Sequence, residues 1–359
     1  MKLTFTIIAV QTVLIAGAFA ALAVPDGLWQ PFYCEKLQVE WDVASNTLPA
    51  TVAIYRVVPA LFSPTAISNL VQLGSFTPRD RVRSFVLAVV YPKALAFKNS
   101  DETATLSIAP SLGTIEFSSE ADSTAPLENV PTQTRAFELA TNILNQLELP
   151  TGEFQTGGEY QPRAWFYPGT RGHRDKQTRK LIVEPCSMGI EFRRKLDNIP
   201  CDDERLHIEF ESRERIRHLE LHWHGVKPAK RCPVATKEQI MAWIKEGRAR
   251  VFDAAVTGAR GLSVCGIKRL TIKGMSLHYS PVTFYGEDGK ERTVNRLYPY
   301  AVLDVEAELG PGDKEKFPLF CPVAAEGLNP TLRKSGGFAV FPSALHERRT
   351  KEEKDGQPN

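Results

Sequence analysis

Three of the seven histidines in this sequence fall in one run, His218-Leu-Glu-Leu-His222-Trp-His224. Neutral imidazoles on one face of a strand can ligate a zinc or copper ion, with a carboxylate as a further ligand or as the group that orients a ring. Another histidine and more acids lie just upstream, in Leu206-His207-Ile208-Glu209-Phe210-Glu211. Alternation puts Leu206, Ile208 and Phe210 on one face of a first strand and Leu219, Leu221 and Trp223 on one face of a second. A hairpin turning through Arg213 and Glu214 sets Ile208 opposite Leu219 and Leu206 opposite Leu221. The same register sets Glu209 opposite His218 and His207 opposite Glu220. The candidate metal ligands are therefore His207, His218, Glu220, His222 and His224, and zinc is the cofactor they would suit. The alternative is the water-facing side of a one-sided antiparallel sheet, with histidines and acids complementing one another. Clustered histidines there would also offer a proton-sensitive surface.

Other chemistry is sparse. The sequence holds no G-x-S-x-G elbow, phosphate-binding loop, dinucleotide fingerprint or H-E-x-x-H pair. Asp202 and Asp203 follow Asn198-Ile199-Pro200 and read as turn residues. Trp165 and Tyr167 flank a basic stretch at 171–180, which reads as a solvated linker. No catalytic residue is assigned.

The chain's bulk properties bound its context. Net charge is +2 over 359 residues, which gives no reason to expect nucleic acid as a partner. Lys2 precedes a largely apolar run ending in Ala21-Leu22-Ala23, after which Pro25 and Gly27 stop any helix. Residues 1–23 read as a signal peptide, with a retained membrane anchor as the alternative. A secreted or extracytoplasmic location follows, with no membrane contact beyond that segment. The six cysteines then permit up to three disulfides, in any of 15 pairings.

Three helices must carry the sheet segments around the histidines. One opens at Ser63-Pro64 and closes near Gly74. A second opens at Thr132 or Thr134 and ends before Pro150. A third opens at Thr236, with Gln239 completing a capping box, and closes at Gly247. Strands are expected over 51–58, 82–91, 104–108, 113–117, 181–183, 189–193, 206–211, 216–223, 261–279 and 298–308. The expected class is α+β: two related modules, each an antiparallel sheet packed with one or two helices. The modules would span 30–150 and 181–325, joined by a linker or long loop at 151–180 and followed by a disordered charged tail at 345–359.

The order of "GIEFRRKLDNIP", "LHIEF", "RHLELHW", "VATKEQIMAWIKEGRARV" and "LYPYAVLDVEAEL" carries a resemblance. It is similar to the PepSY-like module shared by the YycH and YycI extracytoplasmic regulators of a Gram-positive sensor kinase. The parts are Phe192 to Arg194, a turn at Asp197 to Pro200 with Asn198 in place of glycine, Trp223, the helix from Thr236, and Pro299-Tyr300. The resemblance implies a non-catalytic exported protein that acts by protein binding or regulation, its partner another extracellular or membrane protein. A metal-binding protein or metal-dependent hydrolase built on the histidine hairpin is the alternative.

Overall fold

The computed structural model describes residues 29–32, 36–44, 48–60, 62–82, 94–120, 128–174, 177–252, 267–285, 291–310 and 312–324. The expected signal peptide and charged tail, nearly all of the expected strand at 82–91 and the start of that at 261–279 lie outside the described residues.

All three described α-helices start where their capping residues place them. Helix α1, Pro64–Leu73, begins behind Ser63, whose hydroxyl accepts the Ala66 N–H at 2.9 Å. Helix α2, Gln133–Gln146, begins behind Thr132, which accepts from the Arg135 N–H. Helix α3, Lys237–Lys245, has the full reciprocal box between Thr236 and Gln239. Each cap satisfies a backbone donor that the first turn would leave unpaired. The helices bury a narrow apolar stripe, such as Ala136, Ala140, Ile143 and Leu144 on α2.

The strands correct the expected class. Fifteen are linked in one sheet network. They are β1 Trp29–Pro31, β2 Gln38–Trp41, β3 Thr51–Val58, β4 Leu95–Lys98, β5 Ala104–Ala109, β6 Thr114–Ser119, β7 Ala164–Arg174, β8 Leu181–Leu196, β9 Ile199–Phe210, β10 Ile216–His222, β11 Gly225–Pro233, β12 Arg250–Phe252, β13 Arg269–Tyr285, β14 Glu291–Gly310 and β15 Asp313–Pro322. The main path runs β1-β12-β15-β14-β13-β9-β10-β6-β5-β4, and β2, β3, β7, β8 and β11 pair beside it. The described residues therefore form a large, mostly antiparallel mixed sheet with three α-helices, and not an α+β pair of related modules. Strands of both halves of the chain share it: β6 lies against β10, and β3 against β11 and β14.

Two physical reasons account for the difference. Prolines stand inside strands, where a bulge or an edge accommodates them. Pro168 is on β7, which among the described strands pairs with β8 alone, and Pro228 borders a register shift in β11. Polar strands such as β11 carry mostly exposed side chains and lack the apolar alternation that marks a half-buried strand. β7 itself falls in the segment expected as a linker.

Three apolar clusters hold the network. The first lies between α1, α2 and strands β4 to β10, around Leu106, Ile108, Phe192, Leu206, Ile208, Leu219 and Trp223. The second lies under α3 and strands β13 to β15, around Ile240, Ile244, Leu270, Leu303 and Leu319. The third fills the seam, with Ile54, Tyr55, Leu196, Cys201, Tyr279 and Leu297. At that seam Tyr279 of β13 pairs in parallel with Cys201 of β9. The Tyr279 hydroxyl donates to the Ala53 carbonyl at 2.9 Å, so the buried phenol is satisfied.

Candidate functional site

The histidine hairpin has the register that alternation requires. His218 faces Glu209, Leu219 faces Ile208, Glu220 faces His207 and Leu221 faces Leu206. Leu206, Ile208, Leu219 and Leu221 are all fully buried. The turn uses Arg213 and Glu214, with φ of 59° and 58°. Positive φ at both central residues is the geometry that matches strand twist, and it normally selects Asn and Gly. Here a bidentate ion pair, Arg135 Nε and Nη2 to Glu214 Oε1 and Oε2 at 2.8 Å each, holds the turn against α2. The Glu128 carbonyl accepts the Arg213 N–H at 2.7 Å.

On the outer face the register assembles a lattice. One row across the strands is Trp165, Glu191, His207, Glu220, Glu116 and Ser107. The next is Arg193, Arg205, His222 and Thr114. The row on the other side is Glu209, His218, Ser118 and Thr105. The charges pair within it. Glu191 accepts from Arg193 Nε at 2.6 Å, and Arg205 lies between Glu191 and Glu220 at 3.9 and 3.5 Å. The Arg163 and Arg193 guanidiniums each lie over the Trp165 ring, at 4.7 and 4.5 Å from its centre.

This environment splits the two facing carboxylates. His222 Nε2 lies 2.9 Å from Glu220 Oε1, an ion-pair distance whose angle is not that of a well-directed hydrogen bond. That contact, against the cost of burial and with Arg205 adding to it, holds Glu220 down at about 2. Glu116, directly opposite, is pushed above the usual carboxylate range, by burial first and by the Glu220 charge, although His218 and His222 oppose this. Burial also holds the His207 imidazolium below the ordinary histidine range, with Glu191 acting the other way. The lattice is thus a surface whose charge responds to acid.

The five candidate ligands do not meet at one point. The His207 and His218 rings stand 6.3 Å apart, His222 turns to Glu220, and His224 leaves the lattice altogether. Among the described residues no three His, Cys, Asp or Glu side chains form a group that could hold a metal ion. His224 instead joins a buried knot at the end of the inner face. Its Nδ1 is 2.7 Å from Glu204 Oε1, and its backbone N–H donates to Glu204 Oε2 at 2.9 Å. Arg194, 2% exposed, donates to Glu204 and to the His224 carbonyl, pairs with Glu153, and stacks 4.8 Å from the Trp223 ring. Gly113 lets the knot close: its φ is 66°, and a Cβ there would stand 2.6 Å from the Trp223 carbonyl.

Two features were not assigned from the sequence. The first is the ribbon formed by β7 and β8 beyond the point where β9 begins to pair. β9 meets β8 only from Met188 onward, whereas β7 follows β8 out to the Arg174–Leu181 pair. On this ribbon Leu181 is 66% exposed, Ile182 38% and Val183 57%, with Arg174, Arg179 and Lys180 exposed beside them. At its base a cavity of about 720 Å³ is walled by Pro131, Pro168, Pro185 and Met188, with Arg171 and Glu184 at its edge. The signal was present as the "LIV" run after the basic stretch, but a short apolar run reads as buried unless its neighbours are known. The second is His278, which meets Asp202 and Ser276. Asp202 is not in a turn: it sits in β9, and the turn before it is Asp197-Asn198, both at positive φ.

Cys186, Cys201 and Cys321 are free thiols, and Cys34 and Cys265 lie outside the described residues. No helix among the described residues is long and apolar enough to cross a membrane. A comparison with protein-family models gives no match, and one with curated proteins gives none either.

Proposed function

We propose that this chain is an exported protein that acts by binding another extracytoplasmic protein, and that the β7–β8 ribbon is its docking element. One observation carries the reading: three consecutive aliphatic side chains, Leu181, Ile182 and Val183, stand in solvent on an ordered ribbon. Alternation puts Leu181 and Val183 on one face and Ile182 on the other. Apolar surface on both faces of a two-stranded arm is costly in water, and packing on one side would cover only half of it. A partner that clasps the arm covers both. The exposed Arg174, Arg179 and Lys180 select a partner with an acidic rim, and the proline-walled cavity at the base offers room for one of its side chains.

The test is affinity capture from the extracytoplasmic fraction of the source cells. Wild-type chain is compared with Leu181→Ser/Val183→Ser, both folded by circular dichroism. Retention of a protein by the wild type and its loss from the variant support the reading. Identical retained sets would end it.

A further inference from the structure

We propose that Ser276, His278 and Asp202 form a nucleophilic relay that transfers acyl groups from esters with apolar acyl chains. This goes beyond the binding reading, uses none of its residues, and sets aside the expectation of a wholly non-catalytic protein. Ser276 Oγ lies 3.0 Å from His278 Nε2, and His278 Nδ1 lies 2.5 Å from Asp202 Oδ1. These are a nucleophile, a general base and the group that orients the base, each within hydrogen-bond reach of the next.

The bonding fixes the direction of proton flow. A carboxylate can only accept, so the His278 Nδ1–H donates to Asp202, which leaves Nε2 as the acceptor that faces the serine. The Ser276 hydroxyl then donates to it. Ser276 and His278 are two residues apart and therefore on the same face of β13, and Asp202 reaches them from β9 at the seam where Tyr279 pairs with Cys201. All three stand on strands, which hold side chains more firmly than loops do. A strap between β9 and β13 would need only the Asp202–His278 bond. The third member, with its oxygen at the base's free nitrogen, is what a relay requires and a strap does not.

The surroundings indicate the substrate class. Ser276 and Asp202 are exposed, while the His278 side chain between them is 22% exposed. Across the ladder Val302 faces Ser276 and Tyr300 faces His278. The Tyr300 ring lies 6.0 Å from the imidazole and 5.6 Å from Phe320, all half-buried. This floor beside the hydroxyl suits an aliphatic or aryl acyl group. In the first step Ser276 Oγ bonds to the acyl carbon, the bond from that carbon to the alcohol oxygen breaks, and the Oγ proton passes through His278 Nε2 to the departing alcohol. Water then adds to the acyl carbon and gives a proton to Nε2. The Ser276–acyl bond breaks, Oγ recovers that proton, and a carboxylic acid leaves.

The experiment uses the full chain, a fluorophosphonate probe and p-nitrophenyl butyrate. Peptide mass spectrometry maps the phosphonylated residue. Wild type is expected to be labelled at Ser276 and to hydrolyse the ester. Ser276→Ala, at an exposed position that should leave the melting temperature unchanged, is expected to lose both. His278→Gln is expected to slow labelling about 100-fold or more, the usual contribution of a positioned base, and Asp202→Asn to slow it as well. Labelling elsewhere only, or at Ser276 with equal rates in wild type and His278→Gln, would overturn the proposal. So would ester hydrolysis that Ser276→Ala leaves intact, or the absence of both reactions in wild type. A common fall in melting temperature for His278→Gln and Asp202→Asn, with labelling rates unchanged, would make the pair a strap and refute the relay.

Discussion

Replacing Glu204 with alanine removes the centre of the buried knot, and its cost follows from what remains. Glu204 and Arg194 are each 2% exposed. The carboxylate accepts from Arg194 at 3.0 Å, from the His224 N–H at 2.9 Å, and contacts His224 Nδ1 at 2.7 Å. After the substitution Arg194 stays buried with the Glu153 carboxylate and the His224 carbonyl. Breaking one side of a buried pair typically costs about 3–5 kcal/mol, because the survivor's charge loses its compensation. Since Arg194 keeps one counter-charge, the lower end applies, about 3 kcal/mol. At about 2.1 cal/mol/K of unfolding entropy per residue, a chain of 359 residues shifts by about 1.3 °C per kcal/mol, so the melting temperature should fall by about 4 °C.

Urea unfolding at pH 7 measures the free energy, and a double-mutant cycle with Arg194→Met isolates the pair. Replacing both partners by apolar groups should cost less than the two single losses together, with a coupling of about 2 kcal/mol. The pH dependence adds a second check. Burial drives the Glu204 pKa up, but the His224 hydrogen bond and the His224 and Arg194 charges outweigh it and hold it below the ordinary value of 4.5. A depressed folded pKa gives stability that is present above the unfolded pKa and lost as pH falls through the folded one. Glu204→Ala should therefore flatten the acid limb below about pH 4.5. A loss under about 1 kcal/mol, or additive single variants, would refute the reasoning.

Glu116→Gln should stabilise the protein at pH 7. The raised Glu116 pKa means its charged form opposes folding, so the gain in melting temperature should vanish by about pH 3.5, below the ordinary value of 4.5, where the carboxyl is neutral in the folded and the unfolded chain alike. Glu220→Gln should act in the opposite sense, costing stability at pH 7 and removing the loss that wild type shows between pH 4.5 and 2, as followed by circular dichroism. Gly113→Ala should cost about 2 kcal/mol or more in urea unfolding, since its φ is 66° and the new methyl meets the Trp223 carbonyl. Once a partner is captured, Leu181→Ser/Val183→Ser should weaken its binding by about 10–100-fold in titration calorimetry, equivalent to about 1.4–2.8 kcal/mol.

The parts of the fold that were legible in the sequence are those set by neighbours in the chain. Ser63, Thr132 and Thr236 act on backbone donors three residues away, so their helices could be placed from the local sequence alone. The β9–β10 register was legible for the same reason: a short turn and two alternating strands leave only one pairing that buries Leu206, Ile208, Leu219 and Leu221 together. The outer face was legible as a set of histidines and acids, but its electrostatics was not. Glu116 and Glu191 arrive from β6 and β8, and nothing near them in sequence announces that they will stand beside Glu220 and His207. The sheet's extent was hidden because its prolines sit on strands paired along one side, Pro168 on β7 beside β8 and Pro228 at the register shift of β11 beside β3, positions that no local pattern in the sequence marks.

The same distinction separates the two candidate sites. The histidine hairpin drew attention because its residues are close in sequence, and proximity in a strand makes side chains parallel. Parallel imidazoles spread along a pleated surface; they converge on one atom only if the sheet curls around them, and here His222 and His224 meet different carboxylates, Glu220 and Glu204. Asp202 and His278 are 76 positions apart and meet because two strands from different parts of the chain run side by side at the seam. Chemistry that needs a base, its orienting acid and a nucleophile to point at one another is more readily built at such a junction, where side chains approach from different strands, than along one face of a single hairpin.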